Sequence, residues 1–62
     1  MKLISVDRLA EMLDVPVATI YTWKRRRVIP YVQLERCVKF DLEEIQAWIK
    51  AKRKPVLQKQ AT

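Results

Sequence analysis

Val17-Ala18-Thr19-Ile20-Tyr21-Thr22-Trp23-Lys24-Arg25-Arg26-Arg27 is the stretch that decides how this chain reads. At 3.6 residues per turn, Ile20, Trp23 and Arg27 fall near one line, and the first two are apolar. A second stripe carries Ala18, Thr22, Arg25 and Arg26, flanked by Tyr21. The spacing predicts a helix over 17–27 whose one side docks on a small core. The other side carries short, hydroxylated and cationic side chains. A run of basic residues at the end suits a helix C-terminus, where the backbone dipole favours cations. Such a helix fits the DNA major groove, where Thr and Tyr reach base edges and Arg and Lys reach guanines or phosphates. A surface helix with a solvated basic end fits the same residues, so the rest of the chain has to separate the two readings.

The chain has 62 residues, enough for one domain with a small core. Its 13 Lys and Arg against 7 Asp and Glu leave a formal charge of +6. That balance points to an anionic partner: nucleic acid first, then an acidic protein or a lipid surface. The absence of His argues against imidazole acid–base chemistry and most metal sites. The absence of Gly leaves no glycine loop to cradle a phosphate. Cys37 is the only cysteine, so no intrachain disulfide forms and a reducing, cytoplasmic setting is expected. It reads as a small filler and not as a nucleophile. Apolar runs are far too short for a membrane span, and no secretory signal is evident. No catalytic residue, metal ligand or cofactor is expected.

Upstream of the central stretch, Met1 to Leu3 reads as a lead-in or a short extended segment. Ser5 is placed to cap a helix, Asp7 complements its dipole, and Ile4 with Leu9 forms a hydrophobic staple. Val6, Leu9, Ala10 and Leu13 follow i, i+3, i+4, i+7 spacing, which predicts a helix over 6–13. Asp14-Val15-Pro16 ends it: proline biases Val15 away from helical angles, and Asp14, where such turns usually have glycine, tolerates unusual backbone angles better than most residues. Two short helices about three residues apart, the second basic, have the spacing of a helix-turn-helix.

Downstream, residues 28–34 and 37–40 are rich in β-branched and aromatic side chains and alternate with period two. Val32 and Leu34 share a face with Val38 and Phe40 if 34 pairs with 38 and 32 with 40. That register predicts a hairpin closed by a three-residue loop, Glu35-Arg36-Cys37. Asp41 then caps a third helix, with Glu44 completing an acidic analogue of a capping box. Leu42, Ile45, Trp48 and Ile49 line its inner face. From Lys52 onward no period is sustained, so residues 52–62 read as a basic flexible tail behind a domain of residues 1–51.

Helix, turn, basic helix, hairpin and helix together make a mainly α winged helix-turn-helix with a β-hairpin wing. The expected core is Leu9, Leu13, Ile20, Trp23, Val32, Leu34, Val38, Phe40, Ile45 and Trp48. The apolar-Ser-x-x-x-x-Ala-x-x-Leu opening, "DVPVATIYTW", "VIPYV", "R-x-V-x-F" and "DLEEIQAWI" follow one another over residues 3–49. In that order they resemble the phage excisionase and MerR-like group of small winged helix-turn-helix proteins, AlpA-like regulators included. The resemblance implies a recognition helix in the major groove and a wing reaching phosphates or the adjacent minor groove. It also implies excisionases that bend attachment-site DNA and set the direction of recombination, or small transcription activators. The chain departs from the group by lacking glycine in the turn, before Val28 and at the wing tip.

Candidate roles follow. Ala18, Tyr21, Thr22 and Arg25 are the base-edge candidates, and Arg25 on guanine is the commonest specific contact of this kind. Val17, Thr19, Lys24, Arg26 and Arg27 are candidates for the DNA backbone, giving affinity without sequence information. Arg36 and Lys39 belong to the wing. The expected partners are double-stranded DNA and further copies of the chain on adjacent sites, with an integrase as a further one. No membrane partner is expected. A basic module that docks on an acidic protein, with DNA incidental, stays open beside this reading.

Overall fold

A computed structural model describes residues 1–54. The elements run β1 (Leu3–Ser5), α1 (Val6–Leu13), α2 (Val17–Arg25), β2 (Val32–Leu34), β3 (Cys37–Asp41) and α3 (Leu42–Lys52). Three helices with a small antiparallel sheet, ordered β1-β3-β2, give the expected winged helix-turn-helix.

The first helix is bounded by the residues that predict it. The Arg8 amide donates to Ser5 Oγ at 3.1 Å, which satisfies one of the free amides of the first turn. At the other end Asp14 takes φ 57° and ψ 48°. The Val15 amide reaches back to the Ala10 carbonyl at 3.0 Å and the Asp14 amide to that of Glu11 at 3.3 Å. This is a Schellman closure around a left-handed residue. Pro16 then stands just before α2, with φ −64° ready for the helix entry.

α2 is shorter than expected. It stops at Arg25, Arg26 caps it, and Arg27 turns left-handed at φ 59°. The Val28 amide bonds to the Trp23 carbonyl and the Arg27 amide to that of Lys24, both at 3.0 Å. A second Schellman closure thus ends the helix inside the basic run, and Arg27 leaves the line that Ile20 and Trp23 share.

The wing corrects the expected register. Leu34 pairs with Cys37, Gln33 with Val38 and Val32 with Lys39, so only Glu35 and Arg36 form the loop. Glu35 carries positive φ (55°), the sign that two-residue hairpin loops ask for at their first position. The one-residue slip reverses which side of β2 faces inward. Leu34 is 47% exposed, and neither it nor Val32 packs against the core. The places expected for them go to Tyr31, partly buried, and Ile29, fully buried.

Leu3-Ile4-Ser5 is a strand, so the short extended segment allowed for at Met1 to Leu3 begins at Leu3 and runs on through Ser5. It pairs with β3 through Ile4 opposite Phe40, and both side chains are buried. The Leu42 amide at the start of α3 bonds to the Lys2 carbonyl at 2.8 Å, so the residue just before β1 also anchors that helix. Asp41 caps α3 as expected, its Oδ1 accepting from the Glu43 amide at 3.0 Å. Among the described residues no side-chain bond from Glu44 closes the box. α3 runs through Lys52, one residue into the stretch read as tail, and residues 55–62 of that tail lie outside the described residues.

The buried core is Ile4, Leu9, Ala10, Ile20, Ile29, Phe40 and Ile45. Leu13, Val38 and both tryptophans pack against it only partly buried. The tryptophans form its margin: their ring centroids are 5.6 Å apart, and Trp48 Nε1 donates to the Val28 carbonyl at 2.6 Å. That bond ties α3 to the segment leaving α2, and so fixes the C-terminal end of α2 relative to the core.

Candidate nucleic-acid interface

Ile20 anchors α2 with no exposed surface, while Trp23 packs from the next turn. Anchoring on that side turns Ala18, Tyr21, Thr22 and Arg25 away from the core, since these four fall at i, i+3, i+4 and i+7. Ala18, Tyr21 and Arg25 are exposed and Thr22 is half-buried. The half-burial of Thr22 comes from its own surroundings. Its hydroxyl donates to the Ala18 carbonyl at 3.0 Å, and Arg25 Nη2 lies over it at 3.4 Å.

The residues expected on the DNA backbone divide. Arg26 and Arg27 are exposed at the end of α2. Lys24 is half-buried, with its Nζ 5.0 Å from the centroid of the Tyr31 ring, close enough for cation–π attraction. Thr19 is half-buried, and the Val17 side chain packs against the core, so Val17 can meet an anion only through its main-chain amide in the first turn of α2. On the wing, Arg36 is exposed at the tip. Lys39 is half-buried on the outer face of the sheet, opposite Val32 and Ser5.

Two supporting residues escape sequence reasoning. Gln33 Nε2 donates to the Glu35 carbonyl at 2.7 Å, holding the wing turn from within, and Tyr31 supports Lys24. Gln33 carries no signal beyond its place beside a turn that is one residue shorter than alternation predicts. Tyr31 was legible only as one member of an apolar run.

Two of the three positions where glycine is expected and absent flank this surface. Asp14 sits in the turn, Arg27 before Val28 and Glu35 at the wing tip, and all three have positive φ. A non-glycine residue held there costs on the order of 1–2 kcal/mol, less for Asp, whose short polar side chain tolerates that region.

Among the described residues, no group of three or more His, Cys, Asp or Glu is arranged to hold a metal ion. No described helix is long and apolar enough to cross a membrane. A search of curated proteins returned no match, nor did one of solved structures. The family model described as a helix-turn-helix domain matches residues 3–53. The match spans every strand and helix described above, with the exposed α2 stripe inside it. The chain therefore belongs to this helix-turn-helix family of small excisionase- and AlpA-like DNA-binding proteins.

Proposed function

We propose that the chain is an excisionase, a recombination directionality factor that binds duplex attachment-site DNA in several adjacent copies and bends it. The Ala18–Tyr21–Thr22–Arg25 stripe enters the major groove, with Arg25 on a guanine. Thr19, Lys24, Arg26, Arg27 and the Val17 amide hold phosphates, setting register without reading sequence. Arg36 at the wing tip and Lys39 behind it reach the flanking phosphates or the adjacent minor groove.

One observation carries the reading: α2 buries Ile20 against the core and directs a polar, cationic stripe outward beside the exposed Arg26 and Arg27. A solvated surface helix needs no such alignment of small, hydroxylated and guanidinium side chains. Multiplicity follows from size. A nine-residue helix reads few base pairs, so useful specificity asks for several copies on repeated sites. Wings entering successive minor grooves favour curved DNA. An integrase acting on the same cytoplasmic DNA is the further partner this role implies.

Duplexes selected from a random library by the full chain provide the test. Footprinting is expected to show adjacent protected repeats, and a bend assay a curved complex. A single isolated site on straight DNA would refute the excisionase reading. Equal affinity for all duplexes would refute base readout altogether.

A further inference from the structure

A threonine hydroxyl has one proton to give. In Thr22 that proton is committed to the Ala18 carbonyl, 3.0 Å away and four residues back along α2. While the bond holds, Thr22 donates nothing to a base edge, and its oxygen acts only as an acceptor. Arg25 Nη2 lies 3.4 Å from that oxygen, one helical turn toward the C-terminus. Arginine has five N–H donors in a fixed planar fork. One of them on Thr22 leaves others free to meet a guanine edge.

We infer that Thr22 is a positioning residue: its hydroxyl, oriented by the Ala18 carbonyl, aims the Arg25 guanidinium at its base. This rests on the major-groove reading of α2 given above. The long arginine side chain otherwise samples many rotamers on an exposed surface. The chain from Ala18 carbonyl to Thr22 oxygen to Arg25 preselects one orientation before DNA arrives, so less freedom is lost on binding. The small side chain of Ala18 contributes by leaving the groove-facing surface over this relay open.

The test compares full-length variants on a selected site and on duplexes altered at single base pairs. Thr22→Val keeps the shape and removes the acceptor. It is expected to lower discrimination by about threefold to tenfold at the base pair where Arg25→Ala lowers it, as for the net loss of one exposed hydrogen bond. Thr22→Ser, which keeps the hydroxyl, is expected to restore most of that discrimination. In the Arg25→Ala background, Thr22→Val should change it less than about twofold, because coupled residues are not additive. Thr22→Ala gives a second route to the same comparison if the valine variant folds poorly. Loss of discrimination at a different base pair, or full additivity with Arg25→Ala, would overturn the inference and make Thr22 a direct reader. If Arg25→Ala alone leaves every base preference intact, the major-groove assignment of Arg25 fails first.

Discussion

Replacing Arg27 by glycine should push stability and DNA affinity in opposite directions. Arg27 holds φ 59° because the closure of α2 requires a left-handed residue where the Val28 and Arg27 amides turn back to Trp23 and Lys24. Strain at such a site is about 1–2 kcal/mol for a residue with a Cβ. Glycine relieves it but adds about 0.4–1 kcal/mol of unfolded-state entropy, so the net gain is roughly 0.5–1 kcal/mol. For a domain of this length that corresponds to a rise of about 3–8 °C in Tm. The same change removes one exposed cation. If Arg27 neutralises a phosphate, the slope of log K against log salt should become shallower by about 0.9, with affinity near 0.1 M salt falling about fivefold to tenfold. Thermal melts by circular dichroism and a salt titration on one duplex measure both effects. Asp14→Gly is the comparison: it relaxes a left-handed residue in the interhelical turn without removing a cation, so the salt slope should not flatten. A Tm for Arg27→Gly that stays level or falls would refute the strain argument. An unaltered salt slope would take Arg27 off the phosphates.

Other consequences concern the frame that presents α2. Ser5→Ala removes the oxygen that accepts from the Arg8 amide and should cost about 1 kcal/mol, read as a lower urea midpoint with the same slope. Trp48→Phe keeps an aromatic ring beside Trp23 but deletes the donor to the Val28 carbonyl, with an expected loss of about 0.5–1 kcal/mol in a melt. Phe40 is only 1% exposed, and Phe40→Ala should cost about 3–5 kcal/mol. A core this small supplies little more than that, so the variant should lose most of its folded signal at 37 °C.

The parts of this fold that were legible in the sequence are those fixed by local chemistry. Ser5, the 6–9–10–13 spacing and Pro16 bound α1 to the residue, and Asp41 with the 42–45–48–49 spacing set the start and inner face of α3. The stripe on α2 was legible because helical periodicity alone decides which residues share a side. The end of α2 was not: a basic run reads as continuous helix, and a left-handed arginine leaves no mark of its own. The wing register failed for a related reason. Alternation in β2 fits either of two faces, and the apolar character of Val32 and Leu34 points to the one that the fold leaves outside the core. Ile29 and Tyr31 filled that space instead, and a two-residue turn with Glu35 left-handed became the compact solution. β1 is three residues long, too short for its own periodicity, and exists because Ile4 meets Phe40 across the sheet.

The most direct measurement of the central claim follows backbone amide NMR signals of the full chain during titration with a selected duplex. The largest shifts are expected along Ala18, Tyr21, Thr22 and Arg25, with smaller ones at Arg26, Arg27 and Arg36. Shifts concentrated instead on the outer face of α3, at Glu43, Gln46 and Lys50, with the α2 stripe unmoved, would contradict it.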